Sequence, residues 1–307
     1  MIKNIWHGDE FPVEWNGIEK EIGLGLNDTD YEYHSLLVKI LEEGIWKENR
    51  TGVKTLSIFG PQVEFKNVKE KFPLLTTKKV HLKSVIGELL WFLEGSTDKN
   101  VLKNKYGVSI WDEWDAPNPK FDGDMGPIYG HQWVNWTIPY KSNGINQLQE
   151  IIDRLKTNPD DRRMIVSAWN VPYLSEMALP PCHWSYQFYT AQYPGEEKRR
   201  LSVKMNIRSW DIFLGGPFNI ASYAVLLLMM AQEVNMTPGD LIISGGDVHI
   251  YENHLEFIYK QLERDSKGAE PTMTLNPGKG FWNFTPDDFI LNDYHCHPNW
   301  KDVPIAV

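Results

Sequence analysis

Residues 178–189 read ALPPCHWSYQFY, and this stretch decides how the chain is to be folded. Pro180 and Pro181 cannot continue a helix and lack backbone donors, so regular pairing starts only after them. From there the residues alternate in the manner of a strand, and Cys182 is expected to begin that strand at its accessible end. A thiol so placed can meet a ligand. The ordinary alternative is a small hydrophobe in the core, the usual fate of a free cysteine.

Working outward, strands dominate from Arg163 to Ser209, interrupted by a charged turn around Pro194 to Arg199 whose plain reading is a solvated hairpin tip. Helices are segregated elsewhere. One is expected over Tyr31 to Glu43, with Asp28 or Thr29 as cap, and a strongly apolar one over Leu82 to Leu93, stopping at Gly95. An amphipathic stretch covers Leu148 to Lys156, a central helix Ile220 to Val234, and another helix His254 to Arg264. Thr55 to Phe65 and Leu241 to Tyr251 read as strands, and Trp111 to Gly130 as a loop. Such segregated runs argue for an α+β fold and against a doubly wound sheet. Residues 1–30 have weak periodicity and are expected to form an N-terminal extension; 31–307 read as one domain, with no repeat or linker.

The 307 residues suffice for a sizeable core. Net charge is −10, so the molecule as a whole repels DNA and anionic membranes, and an anionic ligand must be caught by a local arginine cluster. Two cysteines, Cys182 and Cys296, make no disulfide framework, and the start MIKNIWHGDEF lacks the apolar core of a signal peptide. A reducing, cytoplasmic setting is the expectation. The longest nearly apolar run, Ile220 to Ala231, is too short to span a bilayer. His295, Cys296 and His297 are adjacent, and adjacent side chains on an extended chain point apart, so no metal is expected there.

The company of Cys182 carries the functional reading. Upstream lies DDRRMIVSAWN (160–170); downstream come RSWDIFLGGPFNIASYAVLLLMMAQ (208–232), PGDLIISGGDVHIYENH (238–254) and the tail VPIAV (303–307). In this order, these strings resemble the folate-dependent thymidylate synthase family, from near Tyr31 to the last residue. The resemblance implies a large mixed sheet that forms a homodimer interface. It also implies transfer of a one-carbon unit from 5,10-methylenetetrahydrofolate to C5 of dUMP.

By the same resemblance, Arg50, Arg162, Arg163, Arg208 and Ser209 hold the nucleotide phosphate, with Arg162 and Arg163 reaching in from the other subunit. Guanidinium forks suit a phosphate dianion, although the ordinary fate of an arginine is a surface ion pair. Cys182 is implied to add to C6 of uracil, and nearby arginines are expected to lower its pKa. Asn219 matches the residue that bonds O4 and N3 of uracil; its plain alternative is a cap for the helix starting at Ile220. Glu88 and Tyr129 match the proton-handling groups, whereas His183 reads equally as structural. His249 and Tyr251, two apart on a strand, share a face and match the pair at the ribose hydroxyl.

On the folate side, Asp211 is implied to accept from the pterin, with Ile110, Trp111, Leu179, Leu214, Gly215 and Phe218 as its wall. Lys78 or Lys79 would meet the glutamate tail, and Ala306 belongs to a C-terminal lid over the ligand. Three positions depart from the family pattern. Asn206 and Ile207 stand where Tyr-Gln is common, and Gly216 stands where Leu is common. Loss of the Gln side chain at Ile207 is expected to take one hydrogen-bonding group out of the pocket around the thiol, and loss of the Leu side chain at Gly216 to let more water in, which would favour a dUMP hydroxymethylase. A catalytically silent nucleotide- or RNA-binding relative is the rival from another class, and it has no need of the thiol or of Asp211.

Overall fold

The computed structural model describes residues 25–138 and 141–305; the rest of the N-terminal extension, Ala306 and Val307 lie outside the described residues. The chain opens with α1 (Asp28–Glu43), then β1 (Ile45–Lys47), β2 (Thr55–Phe59) and β3 (Gln62–Phe65). Next come α2 (Leu82–Leu93), α3 (Lys99–Tyr106), α4 (Tyr129–Val134), β4 (Trp136–Ile138), β5 (Lys141–Ile145) and α5 (Gln147–Thr157). The second half holds β6 (Ile165–Ser167), β7 (His183–Ala191), β8 (Arg200–Asp211), α6 (Gly215–Glu233) and β9 (Thr237–Tyr251). It ends with α7 (Leu255–Leu262), β10 (Thr272–Leu275) and β11 (Phe289–Asn292).

One large sheet runs in the order β1-β2-β9-β8-β7-β6, with β3 also paired to β9. The β8–β9 pair is parallel and the other pairs are antiparallel, so the sheet is mixed and the fold is α+β. The parallel pair needs a crossover, and α6 supplies it. Thr55 to Phe65 is two strands, because Gly60 adopts φ +83° ahead of Pro61, a conformation that breaks the ladder.

α6 is buried on nearly all sides, from Ile220 through Ala231. It packs on β8, on β9 and on α2, which places it at the centre of the core. Each of its fully buried Leu and Met side chains contributes about 1.5–3 kcal/mol by leaving water. The helix begins at Gly215, five residues before the expected Ile220, and Leu214 is its N-cap. Pro217 is tolerated there because the first helical N–H groups have no partner in any case. Asn219 is therefore the fifth residue of the helix, just past its first turn, and the cap reading of Asn219 is corrected.

α1 also starts early, at Asp28, and its cap is Asn27, whose side chain accepts from Asp30 N at 2.9 Å. The fully buried Asp30 carboxylate accepts from the hydroxyls of Thr76 (2.6 Å), Thr77 (2.9 Å) and Ser266 (2.6 Å). That network pins the segment leading into Lys78. The helix expected over His254 to Arg264 is α7, preceded by a 3-10 turn at Glu252–His254.

On the sheet face away from α6, cross-strand partners line up in the row Ile165, Gln187, Lys204, Ile242 and Glu64. Ile165 is 51% exposed and Tyr189, beside Ser202 on the same face, is 65% exposed. Among the described residues, no helix is long and apolar enough to cross a membrane.

Candidate active site

Cys182 is the residue just before β7, and the strand itself starts at His183. The first register step of β7 against β8 slips between His183 and Ser185, a bulge that re-aims the chain next to the thiol. Two contacts fix the cysteine backbone: Arg208 N donates to Cys182 O at 2.8 Å, and Cys182 N donates to the Tyr129 hydroxyl at 2.7 Å. The Tyr129 oxygen accepts in that contact, so its own hydrogen is left to point at the sulfur, where it favours the charged thiol.

Arg208 is held by the proline pair. Its Nε donates to Pro181 O at 3.0 Å and its Nη2 to Pro180 O at 2.7 Å, leaving Nη2 4.0 Å from Cys182 Sγ. Its guanidinium also lies over the Trp169 ring, 5.5 Å from the centroid, a contact the sequence did not suggest. Burial nevertheless pushes the Cys182 thiol above its ordinary pKa, and Arg208, Tyr129 and Arg50 pull it only part of the way back. The arginines lower the thiol pKa as expected, and desolvation outweighs their two charges.

Arg50 sits in an exposed turn in which Asn49 Oδ1 accepts from Thr51 N at 2.9 Å. Arg162 and Arg163 are exposed ahead of β6, and Arg163 forks onto Asp161 through Nε (3.0 Å) and Nη2 (3.2 Å). Arg208 and Arg50 are the arginines whose charges reach Cys182. Ser209 follows Arg208 at intermediate exposure, opposite Asp247 of β9.

Glu88 lies in apolar α2, and its Oε1 accepts from Trp111 Nε1 at 2.7 Å. Burial raises its carboxyl from the ordinary 4.5 to about 7, against the lowering effect of the indole bond. The expectation of a raised pKa at this position matches the structure. His183 stacks on Tyr129, with centroids 4.1 Å apart, and its Nδ1 meets the Tyr223 hydroxyl at 2.9 Å. Burial drops its pKa to about 3, so it is neutral and packed.

His249 packs edge-on against Tyr251, centroids 5.2 Å apart. Its Nδ1 lies 3.1 Å from Asp247 Oδ1, which also accepts from Ser57 Oγ at 2.8 Å. Asp247 is held well below the usual carboxylate range by His249, Lys47 and Ser57. An ionised carboxylate only accepts, so Nδ1 carries the hydrogen, and in the neutral ring Nε2 is then an acceptor. Asp247 was missed in the sequence, although its place two residues before His249 puts both on one strand face.

Asp211 ends β8. Its Oδ1 accepts from Phe213 N (3.0 Å) and Leu214 N (3.2 Å), and among the described residues no hydrogen bond reaches Oδ2. Leu179, Leu214 and Phe218 are partly buried beside the core, Ile110 is exposed, and Trp111 is buried with its N–H committed to Glu88. Gly215 lies next to Asn219: a Cβ built there would be 3.6 Å from Asn219 Oδ1. Lys78 is only 4% exposed, with its ammonium on Phe213 O and 3.5 Å from the centroid of that ring. Burial lowers its pKa to about 7. Lys79 is the exposed lysine of the pair, so Lys78 does not stand free to meet a solvent-borne tail.

Ile207 is 2% exposed, in the core. Asn206 Nδ2 donates to Ser185 Oγ at 3.0 Å, on the sheet face away from α6. A Cβ on Gly216 would meet Ile212 Cδ1, the tip of a flexible side chain, at 2.9 Å and Trp210 Nε1 at 3.5 Å.

Cys182 directly precedes β7, Arg208 and Asp211 lie at the end of β8, and Asn219 lies in α6, which follows that strand. The chain belongs to the thymidylate synthase family, whose model, described as thymidylate synthase, matches residues 31–307. That family works at C5 of dUMP and uses a folate co-substrate.

Proposed function

We propose that this chain methylates dUMP at C5, giving dTMP and dihydrofolate, with Cys182 as the nucleophile that adds to C6. The observation that carries the proposal is the seating of Cys182 Sγ 4.0 Å from an Arg208 guanidinium that is itself locked to Pro180 and Pro181. The raised thiol pKa means that the thiolate has to be stabilised by the arginines and by Tyr129 as the nucleotide is attacked. Arg50, Arg208 and Ser209 take the phosphate, and Asn219 donates to O4 and accepts from N3. His249, with Nε2 as acceptor, and Tyr251 receive the ribose hydroxyl.

Glu88, raised to about 7, is suited to proton exchange with the ring near neutral pH, and Tyr129 stands at the thiol. The residues on the folate side fit the N3–H and amino edge of a pterin. Asp211 Oδ2 is without a hydrogen bond among the described residues, and Leu179, Leu214 and Phe218 give an apolar wall beside it. When bound, methylenetetrahydrofolate supplies both the carbon and the hydride that reduces it. The burial of Ile207 supports methyl over hydroxymethyl product. Binding alone would need neither Cys182 nor the spare oxygen of Asp211, which weighs against a silent relative.

We read the outer sheet face around Ile165 and Tyr189 as the surface of a homodimer, with Arg162 and Arg163 serving the other subunit. Their exposure beside that face, with Arg208 and Arg50 the arginines near Cys182, supports this. The chemistry is tested by quenching the enzyme with dUMP and methylenetetrahydrofolate and weighing the peptide that contains Cys182. A nucleotide adduct on Cys182 is expected. Turnover by Cys182→Ala near the parent rate would exclude covalent catalysis, whereas Cys296→Ala is expected to be nearly silent.

A further inference from the structure

Trp169 lies just past β6, at the opposite end of that strand from Arg162 and Arg163. The chain is fastened on both sides of it. Ala168 N donates to Trp184 O of β7 at 2.8 Å, and the buried Asn170 donates from Nδ2 to Gln132 Oε1 at 2.9 Å. Gln132 is itself fully buried in α4 and donates to Pro127 O at 2.7 Å. The indole between these anchors is a fixed platform.

Arg208 rests on that platform, its guanidinium carbon 5.5 Å from the ring centroid. Its bonds to Pro181 O through Nε and to Pro180 O through Nη2 run along one edge of the planar fork. Two bonds on one edge fix that edge but leave the plane free to hinge about it. A ring against the face removes the hinge, and so sets the aim of the outer edge, where Nη2 stands 4.0 Å from Cys182 Sγ. The kind of contact matters as much as its place. Among the described residues no carboxylate pairs with Arg208. A carboxylate would hold the fork but cancel its charge, whereas an aromatic face attracts the cation through its quadrupole and leaves the net charge whole. That charge is needed, because burial pushes the Cys182 thiol up and Arg208 leads the groups that oppose it, ahead of Tyr129 and Arg50. Tyr251 also faces the thiol, through charge alone.

We infer that Trp169 is a positioning residue: its ring stops the Arg208 fork from hinging, and so keeps an uncancelled positive charge aimed at Cys182 and at an anion that docks beside it. The effect on the thiol needs no ligand. The effect on a nucleotide phosphate rests on the dUMP reading above.

The test follows alkylation of Cys182 by iodoacetamide against pH in the ligand-free full chain, read from the mass of the peptide that carries it. Trp169→Leu keeps an apolar side chain and loses the aromatic face. Its thiolate fraction below the midpoint is expected to fall about threefold to tenfold, with the midpoint displaced upward to match. Trp169→Phe, whose ring is the weaker partner for a cation, is expected to fall between that variant and the parent. If Trp169→Leu fails to fold, a ring-fluorinated tryptophan at the same position keeps the shape and weakens the face, and it too is expected to move the midpoint upward. A midpoint equal to the parent's, in whichever of the two folds, overturns the proposal. In an Arg208→Gln background, Trp169→Leu is expected to add no further shift. An equal shift there also overturns the proposal, since the indole would then act without the guanidinium. dUMP is expected to bind Trp169→Leu about threefold to tenfold more weakly than the parent, and unchanged binding overturns the phosphate part. A parent that binds no dUMP contradicts the nucleotide reading, and the alkylation arm still judges Trp169.

Discussion

Trp111 donates its indole N–H to Glu88 at 2.7 Å, and this single bond is the polar contact that steadies a carboxylate set in the apolar helix α2. Burial wins over the bond, leaving Glu88 at about 7 instead of 4.5. The folded state therefore prefers Glu88 protonated. Its contribution to stability is fully present below pH 4.5 and is lost as pH rises toward about 7. Glu88→Gln is expected to be more stable than the parent at pH 8 and to lose that advantage at acid pH. Thermal melts at both ends of the range measure this. A pH-independent difference would mean that Glu88 titrates normally.

Trp111→Phe removes the donor that favours the ionised form, so Glu88 is expected to titrate still higher in that variant. The acid limb of the pH–rate profile is expected to move upward with it. An unmoved limb would separate Glu88 from the proton step.

Asn219 decides the base in this account. Asn219→Asp is expected to weaken dUMP and favour dCMP, because a protonated or water-bridged carboxyl can satisfy N3 and the 4-amino group of cytosine. Competition binding of the two nucleotides reads this out. Since Asn219 lies inside α6, past its first turn, an unchanged preference cannot be explained by a capping role and would remove it from base recognition.

Gly216→Leu restores the commoner family residue. Because Ile212 Cδ1 stands 2.9 Å from the position of its Cβ, the variant is expected to lose about 1–3 kcal/mol of stability through overpacking. The ratio of methyl to hydroxymethyl product is expected to stay unchanged. A changed ratio at unchanged stability would place that side chain in the pocket after all.

The legible parts of the chain were those in which local pattern and tertiary demand agree. α2 was readable residue for residue, because Leu82–Leu93 is predominantly apolar and stops near Gly95. The start of α6 was not, since Gly215, Gly216 and Pro217 read as breakers although a first turn tolerates all three. The two lysines of TTKK look alike in sequence, and only the buried Asp30 network that pins Thr76 and Thr77 separates buried Lys78 from exposed Lys79. The arginines beside the thiol were legible in the sequence, whereas its desolvation was not.

The central claim is that the one-carbon unit is reduced by hydride on the enzyme. The direct measurement incubates the chain with dUMP and methylenetetrahydrofolate, follows dihydrofolate by absorbance, and weighs the nucleotide formed. The account predicts dTMP with one dihydrofolate produced for each dUMP consumed. Formation of 5-hydroxymethyl-dUMP, with tetrahydrofolate left unoxidised, would contradict it.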